Sequence, residues 1–217
     1  MTSHEFQRQL VRRASSAKID LPAALGEQLE AYYRLLAHWN ASINLTALAL
    51  DPLTDQAVDR LFIEPLAAAR YVLTDSPIWF DVGSGGGSPA IPLKLAKPGA
   101  RLTMVESKGR KAAFLREAVR ELDIANTAVK AERFEEVAAD PRLAGTVDLI
   151  TLRAVRADPA LLAAVAALAR VSALVLLFGA KRPEVDVLKG FELPQEASNS
   201  PPDVRGSALV VLRRVTR

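Results

Sequence analysis

The chain has 217 residues, half of them apolar, a formal net charge of +3 and no cysteine. This length and apolar content suit one domain with a buried core and an appendage. The lack of cysteine excludes disulfides, thiolate metal sites and cysteine nucleophiles, and two histidines make a histidine-based zinc site or catalytic triad unfavourable. We therefore expect no metal site.

The chain shows no sign of a membrane span or a secretion signal. The longest apolar stretch, 157–178, is interrupted by Asp158, Pro159 and Arg170. The N-terminal segment is rich in charged residues and has no apolar core of signal-peptide length. We expect a soluble, cytoplasmic protein without membrane contact.

Residues 1 to about 72 carry helical signals. Asp20, close to a first-turn proline at Pro22, predicts a helix start with Asp20 as the cap. Apolar residues then recur at helical spacing. The dipeptide Asp51-Pro52 predicts the start of another helix. We expect an N-terminal helical subdomain over 1–74.

From residue 75 the pattern changes to alternating strands and helices. The strand candidates are 78–82, 101–105, 127–131, 147–151, 172–178 and 207–213. The helix candidates are 89–97, 109–122, 133–139 and 158–169. This alternation predicts an α/β domain over 75–217 with a Rossmann-like, doubly wound and mostly parallel sheet. The segment 190–204 is rich in proline, serine and acids and is interpreted as a loop.

A glycine-rich turn follows the first strand candidate. That strand contains Asp81 near its end, and the glycines at 83, 85, 86 and 87 come directly after it. Glycine permits positive φ and carries no Cβ that would keep a ligand away. A strand, a glycine turn and a helix start together favour a cradle for a nucleotide-type ligand.

The pattern around the turn narrows the class of ligand. A dinucleotide motif would need glycine at Ser88, and a phosphate-binding Walker motif needs a lysine that this chain does not supply before Lys94. The acid-x-Gly-x-Gly-x-Gly arrangement instead resembles the first motif of S-adenosylmethionine-dependent methyltransferases. Glu106, about 20 residues past the turn, stands where a ribose-binding carboxylate is expected.

The helix candidate 109–122 begins among cations. Lys108, Arg110 and Lys111 lie at its start, where positive charge opposes the helix dipole. Such a cluster of cations often lies only on a solvent-exposed face, but at this position it could also bind a phosphate group.

Five motifs in order then resemble one family over nearly the whole chain. They are His38-Trp39-Asn40 with Asn44-Leu45-Thr46, the glycine motif from Asp81 to Leu93, the segment from Glu106 to Lys111 with Phe114-Leu115, Arg133-Phe134-Glu135-Glu136, and Leu152-Arg153-Ala154. The family is the bacterial small-subunit ribosomal RNA guanine-N7 methyltransferases, also called the glucose-inhibited division protein B family. Where the family usually has Arg-His-x-x-Asp-Ser, this chain has Arg60-Leu61-Phe62-Ile63-Glu64-Pro65. A lysine expected after the fifth strand is Gly179 in one alignment and Lys181 in another.

The resemblance implies a class I methyltransferase that uses S-adenosylmethionine and methylates N7 of a guanine in 16S ribosomal RNA. We also expect a monomer. It implies that backbone near Phe134 and Glu135 lies by the adenine and that Arg153 is the catalytic residue, beside cofactor and guanine. The expected cofactor residues are Asp81, Gly83, Ser84, Gly85, Gly86, Gly87, Glu106, Phe134, Glu135 and Arg153. The expected RNA contacts are Arg60, Lys108, Arg110, Lys111 and Lys181.

The chemistry of guanine N7 suits this composition. N7 has a free lone pair and needs no general base, so positioning can supply much of the catalysis. Two alternatives stay open: a small-molecule methyltransferase, and a non-catalytic RNA or ribosome-assembly module with a vestigial cofactor fold.

Overall fold

The computed structural model describes residues 1–154, 158–179, 190–193 and 209–215. Its strands are β1 (Ile78–Val82), β2 (Arg101–Val105), β3 (Thr127–Lys130), β4 (Val147–Arg153), β5 (Ala169–Phe178), β6 (Phe191–Glu192) and β7 (Leu209–Arg214). Its α-helices are α1 (Ser3–Ser16), α2 (Ala23–Asn40), α3 (Asp55–Val58), α4 (Glu64–Ala68), α5 (Ala90–Ala96), α6 (Gly109–Glu121), α7 (Phe134–Ala138) and α8 (Pro159–Leu168). A π-helical turn, Asp59–Ile63, joins α3 to α4, and short 3₁₀ turns occupy Ala69–Tyr71 and Pro141–Leu143.

The strands form one sheet in the order β3-β2-β1-β4-β5-β7-β6. The strands β1 to β5 pair in parallel, and β7 lies antiparallel to both β5 and β6. This confirms the predicted α/β fold with a mostly parallel sheet. The strand order reverses between β1 and β4, and in such sheets ligands bind in the crevice at the carboxyl ends of the two strands.

Each face of the sheet carries its own hydrophobic cluster. One cluster joins α1, α2 and the π-helical turn to α5, α6 and the sheet, with Trp79 among its largest fully buried side chains. The other packs α7 and α8 against the opposite face. The first cluster contains residues from both sides of position 74, so the N-terminal helices are bound to the sheet by a shared core.

Several local predictions were wrong. Pro22 occupies the N-cap position of α2 without a side-chain cap, so Asp20 is not the cap. The helix predicted to start at Asp51-Pro52 begins at Asp55 instead, where the Thr54 hydroxyl accepts from the Ala57 amide. Asp-Pro also favours turns, and here it stands in the turn that joins Leu50 to Leu53. The loop predicted over 190–204 contains the short strand β6.

The described parts of the chain contain no helix that is both long enough and apolar enough to cross a membrane.

Candidate active site

The glycine turn joins β1 to α5 at the carboxyl edge of the sheet. Gly85 has φ +52, and a Cβ built there would meet only the Gly83 carbonyl, at 3.6 Å, so the space above Gly85 is open. Gly87 has φ +88, and a Cβ there would lie 2.6 Å from the Ile91 side chain. Both positions therefore require glycine, one for its conformation and the other also for close packing.

Most of the turn's amide groups are already used inside the protein. The amides of Gly83 and Ser84 donate to the Val105 carbonyl at 2.9 and 3.1 Å, and the Gly87 amide donates to the Ser84 carbonyl at 2.7 Å. The Gly85 amide donates to the Glu106 carboxylate at 2.9 Å. A phosphate cradle needs such N–H groups free for the ligand. The turn therefore offers a ligand its shape and the nearby side chains rather than a set of free amides, in agreement with the mismatch to both phosphate motifs.

Asp81 lies beneath this turn and is fully buried, at 1 % exposure. The parallel register places it opposite Thr151 of β4, whose hydroxyl donates to Asp81 Oδ1. The indole N–H of Trp79 donates to the Thr151 hydroxyl at 2.8 Å, and since an indole can only donate, the hydroxyl proton is left for Asp81. The second carboxylate oxygen, Oδ2, is buried and has no hydrogen-bond partner among the described residues.

Burial sets the protonation of this carboxyl group. It raises the pKa of Asp81 to about 6, and the neighbouring Arg153 acts against that rise. An unpartnered buried carboxylate is costly unless a cation or donor reaches it. Asp81 Oδ2 is therefore a ready partner for the cationic group of a ligand held at the turn.

Glu106 follows β2 and is also buried, at 7 % exposure. One carboxylate oxygen accepts from the Gly85 amide, and the other accepts from the Lys108 amide at 2.8 Å. Each oxygen retains a second lone pair, so a ligand hydroxyl can still donate to this carboxylate. The structure thus brings Glu106 against the glycine turn, and it also shows that Glu106 shapes the turn.

Arg153 ends β4 on the other side of the crevice. Its guanidinium lies 2.8 Å from the Glu64 carboxylate, and it stacks on the Phe178 ring with its central carbon 4.8 Å from the ring centroid. Burial lowers the pKa of Arg153, against the effect of the adjacent Glu64, although an arginine stays protonated at neutral pH. Arg153 Nε has no hydrogen-bond partner among the described residues. A buried arginine with a free donor is suited to binding a polar ligand edge.

The π-helical turn brings Glu64 and Arg60 to this crevice. Pro65 has no N–H to donate to the Leu61 carbonyl four residues earlier, and the Ser88 hydroxyl donates to that carbonyl at 2.9 Å. Arg60 Nε lies 4.0 Å from Glu64, and the Arg60 guanidinium lies near Gly179. The helical region before residue 74 therefore contributes directly to the candidate site.

The other predicted site residues in the described part of the chain stand at the starts of α6 and α7. Lys108 and Arg110 are exposed at the start of α6, and Lys111 is half-buried there. Phe134 is buried at the start of α7 beside the exposed Glu135. Lys181 lies outside the described residues.

Sequence reasoning missed three residues of the site. Thr151 supports Asp81, Glu64 pairs with Arg153, and the Tyr32 hydroxyl donates to the Gly86 carbonyl at 2.5 Å. The sequence could have indicated Thr151, because it is a polar residue in a buried strand. Tyr32 matches the apolar spacing of a core helix, so nothing in the sequence distinguishes it as a site residue.

Comparison with known proteins identifies the family. Residues 25–201 match the family model GidB, described as rRNA small subunit methyltransferase G. The chain belongs to this family. A "Ribosomal RNA small subunit methyltransferase G" from Stenotrophomonas maltophilia (strain K279a) is 44% identical over 138 residues, which cover 64% of this chain and 61% of that protein. A protein of the same name from Pseudomonas entomophila (strain L48) is 34% identical over 147 residues, 68% of this chain and 67% of that one. The match thus spans about three fifths of the length of the first of these relatives.

Solved structures support the fold. The [4+2]-cyclase SpnF aligns with a TM-score of 0.57 and 14% identity, over 75% of this chain and 83% of that one. The P. horikoshii protein TYW2, solved in complex with MeSAdo, aligns with a TM-score of 0.52 and 14% identity, over 77% of this chain and 64% of that one. At such identities the likeness concerns architecture, and one shared fold can serve different reactions.

Proposed function

We propose that this protein transfers a methyl group from S-adenosylmethionine to N7 of a guanine in 16S ribosomal RNA. One structural observation carries the proposal, together with membership of the family. It is the buried and unpartnered oxygen of Asp81 at the end of β1, next to an open glycine turn and at the same edge of the sheet where Arg153 ends β4. This arrangement suits a ligand with a cationic amino group and a planar substrate beside it.

The residues present fit the cofactor. When bound, S-adenosylmethionine supplies a methyl group on a positively charged sulfur. Asp81 and the turn from Gly83 to Gly87 would hold its methionine end. Glu106 would accept from the ribose hydroxyls, and backbone at Phe134 and Glu135 would lie along the adenine. The described residues contain no group of three or more His, Asp and Glu that could hold a metal ion.

Arg153 would position the guanine. Arginine recognises the O6 and N7 edge of guanine well, and a donor to O6 leaves the N7 lone pair free to attack. No residue has to remove a proton, so holding N7 in line with the methyl carbon is the main task of the site.

Cations around the crevice would meet the RNA backbone. We assign this role to Arg60, Lys108, Arg110 and Lys111, and to Lys181 from the resemblance. Phosphate contacts of this kind give an affinity that falls as salt rises. We assign the substrate to the small ribosomal subunit or its RNA, and we propose that the protein acts as a cytoplasmic monomer.

The test is methyl transfer from labelled cofactor to small ribosomal subunits that lack the modification. The labelled nucleoside is released by digestion and identified by mass. N7-methylguanosine is the expected product, and Arg153→Ala should abolish its formation. Cofactor binding without RNA labelling would favour a small-molecule methyltransferase. A protein that binds subunits but no cofactor would favour a non-catalytic assembly module.

A further inference from the structure

Glu64 is a buried acid between two arginines. It is 4 % exposed, and it stands where the π-helical turn meets α4. One oxygen lies 2.8 Å from Arg153 Nη2, and the other lies 4.0 Å from Arg60 Nε. The two arginines also face different surroundings, because the side chain of Arg60 is 41% exposed whereas that of Arg153 is 16% exposed.

The ion pair leaves part of Arg153 free for a ligand. Nη2 forms the ion pair with Glu64, but neither Nη2 nor Nε has a hydrogen-bond partner among the described residues. The Phe178 ring covers one face of the guanidinium and so restricts its orientation. Arg153 can therefore donate to a base edge while its charge stays next to a carboxylate.

The charge of Arg153 matters for the proposed reaction, and so does the carboxylate of Glu64 that offsets it. The N7 lone pair forms the bond to the methyl carbon, the electrons of the broken carbon–sulfur bond remain on sulfur, and no proton is lost. The guanine thereby gains the positive charge that the sulfur gives up. An uncompensated arginine beside the base would repel this developing charge, and in a dry site that repulsion is only weakly screened.

We infer that Glu64 is a positioning residue whose carboxylate offsets the charge of Arg153 where the methylated guanine becomes cationic. The inference rests on the proposed function. The other buried acid near Arg153 is Asp81, and its free oxygen is assigned to the amino group of the cofactor. Glu64 is thus the carboxylate in the described part of the chain that remains available to Arg153 throughout the reaction.

Glu64→Gln tests this inference because it keeps the shape of the side chain and removes its charge. With saturating cofactor and unmodified small subunits, we expect kcat to fall about 10- to 100-fold. This is less than the roughly 100- to 1,000-fold lost with a group that contacts the transition state, because Glu64 acts through Arg153. The KM for subunits should change less than about threefold, because the lost interaction acts mainly in the transition state. The Kd for cofactor, measured by calorimetry without RNA, should stay within about twofold of wild type, since this pair does not hold the methionine end.

Two further variants separate charge from folding. Glu64→Asp keeps the charge and should restore most of kcat. Glu30→Gln is the matched control, because Glu30 is also buried and pairs with Arg34 at 2.6 Å, but at the contact of α1 with α2. It should lower stability and leave kcat unchanged.

Three results would overturn the inference: a normal kcat in Glu64→Gln, a rise in KM alone, or loss of cofactor binding in both Glu64 variants, which would indicate a structural role. These outcomes are distinct from failure of the proposed function. In that case the wild-type protein itself would form no N7-methylguanosine.

Discussion

Asp81 should make the cofactor-free protein less stable as the pH rises. Burial raises the pKa of Asp81 from 3.8 to about 6, so the folded protein holds this proton more tightly than the unfolded chain does. The stabilisation is full below pH 4 and is lost as pH rises through 6. Above pH 6 the folded protein carries a buried carboxylate, and the shift corresponds to a penalty on the order of 3 kcal/mol.

Asp81→Asn isolates this penalty. Its side chain is neutral at every pH, and its amide oxygen can still accept from Thr151. The amide N–H₂ that replaces Oδ2 lacks a partner, which costs about 1–3 kcal/mol at all pH values. The pH-dependent part of the difference from wild type therefore belongs to Asp81 alone.

The assay is urea unfolding of both proteins without cofactor at pH values from 4 to 8. Comparison at each pH cancels the titration of carboxyls that the two proteins share. The variant should gain about 2 to 2.5 kcal/mol relative to wild type between pH 4 and 7, because part of the full effect is already lost at pH 4. Saturating S-adenosylmethionine should stabilise wild type and leave the variant unaffected. A difference that stays flat from pH 4 to 8 would refute a buried, ionisable and unpartnered Asp81.

Two more substitutions probe the supports of the site, and a third, at Lys94, is a control outside it. Thr151→Val removes the hydrogen bond to Oδ1, so the pKa of Asp81 should rise further, and calorimetry at pH 7 should show about tenfold weaker cofactor binding. Tyr32→Phe removes the donor to the Gly86 carbonyl. It should lower the free energy of unfolding in urea by about 1 kcal/mol and weaken cofactor binding. Unchanged values in both assays would contradict a role for that hydroxyl. Lys94→Met leaves two carbonyls after α5 without their donor and should cost about 2 kcal/mol in the same urea assay, with cofactor affinity unchanged.

The sequence predicts the sheet well because its strands are short apolar runs separated by helical patterns. Two strands, 78–82 and 101–105, have the predicted bounds, and the helix predicted over 109–122 ends one residue earlier. The glycine motif could be located for the same reason, since its spacing is local. The N-terminal boundaries were less predictable, because the signals at Asp20 and Asp51 fit caps and turns equally well.

The supports of the site could not be predicted, because they join residues that are distant in the chain. Thr151 and Asp81 are 70 positions apart, and Tyr32 and Gly86 are 54 apart. Only the strand register and the packing of α2 bring these groups together. Periodicity gives the face on which a side chain lies, but it does not give the partner that its polar atom meets.

Pro65 departs from the family pattern, and the hydrogen bond that it removes is replaced by one from Ser88. Pro65 removes the amide that would donate to the Leu61 carbonyl, and the helix before it widens into a π turn. Ser88, which stands where a dinucleotide motif would need glycine, donates to that carbonyl at 2.9 Å. The turn assigned to the cofactor is thereby tied to the turn that carries Glu64. A change at Pro65 or Ser88 therefore acts on both sides of the crevice, and the two positions are best considered as one unit.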